Sequence, residues 1–192
     1  MSRSMLRRNF MPLAGALAVV ILLASCGGGA SGNSLGVISW PDGDKETGSR
    51  PGQRAPNFRL ENAAGEAVSL DDHLGQPLLI NFFASWCENC KEEMALLDEA
   101  NSEEITVIGI NLREGPETVE RLAEETGATF PLLLDRNGKV TRAYRVTNLP
   151  VTVALDSSGI VRDFVLGPLD EDRLNDLIRA ARAGGDVGGE AG

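Results

Sequence analysis

The feature that most constrains this chain is a junction at residues 77–90, where an apolar run leads within three residues into a pair of cysteines. Pro77-Leu78-Leu79-Ile80-Asn81-Phe82-Phe83 reads as a buried central strand, apolar on both faces. Cys87-Glu88-Asn89-Cys90 follows at once and opens a helix to about Ala100, with Met94, Leu96 and Leu97 spaced for one buried face. Cysteines separated by two residues at a helix start can close a disulfide with little backbone movement. The first sulfur then sits where free backbone N–H groups and the helix dipole favour thiolate over thiol. Such placement lowers a cysteine pKa from about 8.5 toward roughly 7 or below. Cys87 is therefore the expected nucleophile, and Cys90, one turn deeper, the expected resolving thiol.

The chain has only three cysteines and one histidine, which removes the rival uses of this pair. With Cys26 set aside, Cys87, Cys90 and His73 fall short of the roughly four ligands of a structural zinc site. A purely structural disulfide would close too small a loop to stabilise much. Haem attachment needs histidine after the second cysteine, where this chain has Lys91. The expectation is a redox-active Cys87–Cys90 disulfide with no metal and no other cofactor. A net charge of −10 argues against nucleic acid as a partner, since phosphate binding needs a basic face.

Around this junction, short apolar runs alternate with helical patterns. Phe58 to Leu60 and Ala67 to Leu70 flank Asn62-Ala63-Ala64-Gly65 as a hairpin. Ile105 to Ile110 is a second buried strand, and Glu117 to Glu125 a charged helix closed by Gly127. Leu132 to Leu134, Val151 to Leu155 and Ile160 to Leu166 read as strands, separated by turns at residues 135–138 and 156–159. A last helix starts at Asp170, whose carboxylate can cap it, and runs to about Ala183. The pattern predicts an α/β sandwich with a mixed sheet. His73 and the acidic row Glu120, Glu124 and Glu125 are expected at the surface.

Residues 1–25 read as a targeting segment. Arg3, Arg7 and Arg8 precede an apolar run from Met11 to Leu23, too short for the roughly 20 residues of a spanning helix. Leu23-Ala24-Ser25-Cys26 resembles the bacterial lipobox, which implies lipidation of Cys26 and attachment to the extracytoplasmic side of the bacterial cell membrane. Arg7-Arg8-Asn9-Phe10-Met11 loosely resembles a twin-arginine signal, so the export route stays open. Residues 26–50, rich in Gly, Ser, Asp and Pro, are expected to be a flexible tether in which Trp40 has no fixed contact. The domain is expected at 51–183, with a disordered tail at 184–192.

Asn81-Phe82-Phe83-Ala84-Ser85-Trp86-Cys87-Glu88-Asn89-Cys90-Lys91-Glu92-Glu93-Met94 resembles the active-site stretch of the TlpA/ResA-type thioredoxin-like proteins, membrane-tethered thiol–disulfide oxidoreductases. Gly52 to Phe58 resembles the segment that opens that fold, and Tyr144 to Pro150 with Val151 to Asp156 its later signature. The resemblance implies a thioredoxin-like three-layer sandwich with a central mixed β-sheet and an added N-terminal β-hairpin. It implies a cis bond before Pro150, with the backbone of Leu149 pairing with a bound partner chain. Glu93 would tune the thiols or pass protons near Cys90, a solvated surface glutamate being the alternative. Trp86 would shield the disulfide, or pack in the core. Asn81 holds a position where ordinary thioredoxins carry a buried aspartate. Asn89 and Ala95 replace prolines common in the family, and Glu88 sets a negative charge beside Cys87, which opposes thiolate formation.

These implications favour a monomeric reductant of exported thiol and disulfide proteins, as in cytochrome c biogenesis, fed by a membrane thiol carrier. A disulfide-donating oxidant or isomerase is the alternative. A peroxiredoxin is disfavoured because Ile80 and Ala84 stand where its proline and threonine belong, and a non-catalytic binding module because the cysteine pair is intact.

Overall fold

A computed structural model describes residues 35–43 and 47–184. The expected signal segment 1–25, Cys26, residues 27–34 and 44–46 of the tether, and residues 185–192 lie outside the described residues. Among the described residues eight strands and four α-helices follow in order: β1 (Gly36–Val37), β2 (Phe58–Glu61), β3 (Ala67–Ser69), β4 (Leu78–Phe83), α1 (Glu88–Ala100), β5 (Thr106–Leu112), α2 (Pro116–Thr126), β6 (Leu132–Asp135), α3 (Lys139–Ala143), β7 (Val151–Leu155), β8 (Val161–Leu166) and α4 (Glu171–Ala183). The central sheet has the order β6-β5-β4-β7-β8. β4 runs parallel to β5 and antiparallel to β7, which makes the sheet mixed.

Side-chain alternation sorts the strands into two cores. Leu78, Ile80 and Phe82 of β4 face one side with Ile108, Ile110, Leu133, Val151 and Val153, against Phe58, Leu60, Val140 and Tyr144. Leu79 and Phe83 face the other with Val107, Leu132 and Leu134, against α1, α2 and α4 through Met94, Leu97, Leu122, Leu174 and Leu177. This is the expected three-layer arrangement. Gly109 sits where strands and rings crowd: a Cβ there would lie 2.6 Å from Leu132 Cδ2 and 2.9 Å from Phe83 Cε1.

The hairpin between Phe58 and Ser69 forms as expected, β2 pairing antiparallel with β3. The tether boundary at residue 50 needs correction. β1 adds a third strand to the hairpin, Val37 opposite Phe58, and Thr47 bridges to Arg54. Trp40 is not free but core, 2% exposed. Its Nε1 donates to the Ala55 carbonyl at 3.0 Å, and the Arg54 guanidinium lies 3.7 Å from the ring centroid. A two-residue strand and one anchoring aromatic have no periodicity to read, so composition alone suggested a tether. Residues 35–43 thus belong to the folded unit.

Helix α3 has no counterpart among the elements expected from the sequence. The turn at Asp135 continues into it because the Asp135 carboxylate accepts from Thr141 N (2.8 Å) and Thr141 Oγ (2.7 Å). Five residues are too few for a periodic signal. At the C-terminal end, Asp170 caps α4 as expected, its side chain accepting from Arg173 N at 2.8 Å. Gly184, assigned to the tail, is the C-cap of α4.

Candidate active site

β4 delivers the chain to the site. After Phe83 the backbone makes a turn closed by Cys87 N donating to Ala84 O at 3.1 Å, and Cys87 becomes the N-cap of α1. In that position its Sγ accepts from Cys90 N at 3.3 Å, so the sulfur lies among the unpaired N–H groups of the first turn. Cys87 and Cys90 form a disulfide with an S–S distance of 2.03 Å and Cα atoms 5.2 Å apart. Cys90 is fully buried, whereas Cys87 retains 8% exposure. The outer sulfur belongs to the helix cap and the inner one to the core, beside Phe83, Met94 and Leu97.

The charge beside Cys87 is muted. Glu88 points to solvent and lies 3.8 Å from Lys91 Nζ on the next turn. Trp86 is 69% exposed, so it is not a core residue. It stands on the turn next to Cys87 as an exposed apolar surface. Asn89, Glu92 and Ala95 also face solvent. Immediately before β7 the Leu149–Pro150 bond is cis. Leu149 packs against the apolar cluster that holds both cysteines, and Pro150 O accepts from Gly167 N at 2.9 Å.

Glu93 is buried, with 2% exposure, and is not the solvated glutamate that was the alternative. Its Oε1 accepts from Asn81 Nδ2 at 2.7 Å and its Oε2 from Leu169 N at 2.9 Å. Burial pushes its carboxyl up to about 7 from an ordinary 4.5, opposed in part by those two hydrogen bonds. Asn81 also donates to Thr152 Oγ1 at 3.0 Å, while its own Oδ1 is buried without a partner among the described residues. A proton on Glu93 suits this arrangement: with the Asn81 amide turned over, the carboxylic acid would donate to that oxygen. Thr152 and the Leu169 N–H escape sequence reading because Thr152 reaches Asn81 from β7 and Leu169 reaches Glu93 from the β8–α4 loop. Nothing in their local sequence sets them apart.

His73 lies away from this centre, half-buried at the end of a short 3-10 turn, Leu70–His73. Burial lowers its pKa against the opposing pull of Asp72. Among the described residues no three His, Cys, Asp or Glu side chains are grouped to hold a metal ion, and no helix is long and apolar enough to cross a membrane.

Comparison with known proteins gives a consistent result. The AhpC/TSA family matches residues 51–164, more than half of the chain. The thioredoxin-like protein YneN of Bacillus subtilis is 32% identical over 140 residues, 70% of this chain and 82% of its own. The thiol-disulfide oxidoreductase ResA of Geobacillus kaustophilus is 32% identical over 127 residues, 64% of this chain and 73% of its own. A thiol:disulfide interchange protein of the thioredoxin family from Chlorobium tepidum superposes with a TM-score of 0.61 at 25% identity, covering 69% of this chain and 97% of that one.

Proposed function

The chain belongs to the AhpC/TSA family as a TlpA/ResA-like thioredoxin-type thiol–disulfide oxidoreductase, and from that premise we propose that it acts as a membrane-anchored reductant of exported thiol and disulfide proteins. The observation that carries this reading is the asymmetry of the two sulfurs, Cys87 capping the helix at the surface and Cys90 sealed beneath it. In the reduced protein the Cys87 thiolate attacks a substrate disulfide. One Cys87–substrate S–S bond forms, the substrate's own breaks, and the departing sulfur takes a proton. Cys90 then gives its proton to Glu93 and attacks Cys87 Sγ: the disulfide present in this structure forms, the Cys87–substrate bond breaks, and the second departing sulfur takes a proton, so that the substrate leaves as a dithiol. Two electrons have moved, and no cofactor beyond the cysteine pair takes part. The backbone at Leu149 would hold the partner chain in extended form beside Trp86.

The chain contains one such cysteine pair, so its reduction calls for an outside donor, in this reading a membrane thiol carrier. Extracytoplasmic location, attachment through a lipid on Cys26 and a role like that in cytochrome c biogenesis complete the proposal, with the monomer as its working form. Cys26→Ala is expected to move the protein from the membrane to the soluble extracytoplasmic fraction, because stable anchoring by lipid depends on that residue. Full retention after this substitution would instead favour an uncleaved N-terminal helix.

Direction of flow is tested by the midpoint potential of the Cys87–Cys90 couple, read by thiol labelling in dithiothreitol or glutathione buffers. A value near the thioredoxin figure of about −270 mV is expected; one near about −120 mV would make the protein a disulfide donor. The AhpC/TSA match also raises peroxide reduction as a second reading. Ile80 and Ala84 do not supply the proline and threonine of that chemistry, and peroxide consumption above the rate of free dithiol would be needed to revive it.

A further inference from the structure

One carboxylate near the cysteines is left unused by this chemistry. The loop after β5 turns sharply at Arg113, a non-glycine residue with φ 63°. Glu114 thereby folds back onto its own strand, its N donating to Asn111 Oδ1 at 3.1 Å while its Oε2 accepts from Asn111 Nδ2 at 2.7 Å. Asn111 itself is fully buried, so this closure is anchored in the core. The rest of the carboxylate is spent on the turn that leads to Cys87: Oε2 accepts from Ser85 N at 2.7 Å and Oε1 from Ser85 Oγ at 2.5 Å. All of these donors are neutral, so Glu114 is not there to balance a cation.

We infer that Glu114 is a positioning residue for the nucleophile, pinning Ser85 from the loop after the neighbouring parallel strand β5 so that the turn holds Cys87 Sγ at the helix cap. Ser85 is the second residue of the Ala84–Cys87 turn, and Trp86 the third. A carboxylate gripping both the N–H and the O–H of half-buried Ser85 fixes that turn next to Trp86, which extends into solvent. Hydrogen bonds to an ionised acceptor are the strong kind, and paired ones also fix orientation. A helix N-terminus favours negative charge only within its first turn, so a loosened turn weakens its hold on a Cys87 thiolate directly.

This role rests on Cys87 being the nucleophile, and the test separates the two. Reduced full-length protein is alkylated with iodoacetamide across a pH series, and the modified cysteine is identified by peptide mass. Glu114→Gln removes a negative charge, which by electrostatics alone would lower the Cys87 midpoint and speed its reaction. Loss of positioning does the opposite, because the new amide nitrogen is a donor facing other donors. The expected result is a higher Cys87 midpoint and a roughly five- to tenfold slower disulfide exchange. Ser85→Ala should shift both in the same direction by less, Ser85→Thr should restore them, and the Ser85→Ala/Glu114→Gln pair should be no slower than Glu114→Gln alone. An unchanged or lowered midpoint in Glu114→Gln, or additive effects in the pair, would overturn the inference even if thermal stability fell. Should Glu114→Gln fail to fold, the alanine and threonine variants of Ser85 decide it, identical midpoints in the two overturning it. Wild-type alkylation at Cys90 in place of Cys87 would overturn the nucleophile assignment and this role with it.

Discussion

Cys87→Ser is expected to reduce disulfide exchange to the uncatalysed level, a loss of roughly a thousandfold or more, whereas Cys90→Ser should leave the first step intact and stall the second. A serine hydroxyl stays protonated at neutral pH and cannot form the mixed disulfide. Cys90→Ser keeps the cap sulfur, so Cys87 can still attack a partner. The buried hydroxyl beneath it cannot expel the partner, and covalent complexes accumulate. The measurement is reduction of a model disulfide protein for the first variant and non-reducing electrophoresis of cell extracts for the second. Residual turnover in Cys87→Ser, or an absence of trapped partners with Cys90→Ser, would reverse or void the assignment. The different exposure of the two sulfurs, 8% against none, gives the physical reason to expect this order.

The largest effect on stability is expected at Glu93. The unfolded chain releases this proton near 4.5 and the folded oxidised protein near 7. Between those values the native state binds the proton more tightly, so stability falls as pH rises through the window. It is fully present below about 4.5 and lost above about 7, and the difference amounts to about 3 kcal/mol at most. Glu93→Gln carries no proton to lose. Its carbonyl can accept from Leu169 N, and its amide can donate to Asn81 Oδ1 once the Asn81 amide turns over. Denaturant melts of the oxidised proteins should therefore show the variant more stable than wild type above pH 7, by up to about 3 kcal/mol, with the gap closing toward pH 4.5. A gap that stays constant with pH would mean that folded and unfolded chains release the Glu93 proton at the same pH. In the proposed chemistry the same substitution should slow closure of the disulfide by Cys90 and flatten its pH dependence near 7, since the proton acceptor is gone.

Much of this fold is legible along the chain because its central features are local. A strand apolar on both faces must lie inside a sheet, and a cysteine pair that opens the next helix must sit at that helix's positive end. Alternation along β4, β5 and β7 then divides the residues between two cores, as the structure bears out. The hairpin at residues 58–69, the Asp170 cap and the Gly127 stop are equally local, each set by a turn or cap whose chemistry lies within a few residues. What stayed hidden at the N-terminal edge did so for want of length. β1 and Trp40 join the fold through one strand pair and one buried ring, too small a signal to stand out in a stretch of Gly, Ser and Asp.

The sequence by itself determined the α/β sandwich with a mixed sheet, the placement of Cys87 and Cys90 on a strand–helix junction and the glutamate one turn further on. All of these follow from spacings of two, three or four residues along a backbone of known period. Only the tertiary structure decided what those groups experience. Glu93 is a buried acid because β4, α1 and the loop before α4 close around it, bringing Asn81 and the Leu169 N–H to its two oxygens from 12 and 76 residues away. Ser85 is held by Glu114 from 29 residues away. A side chain's solvation and its hydrogen-bond partners are set by whatever chain arrives from elsewhere, and no local pattern encodes that arrival.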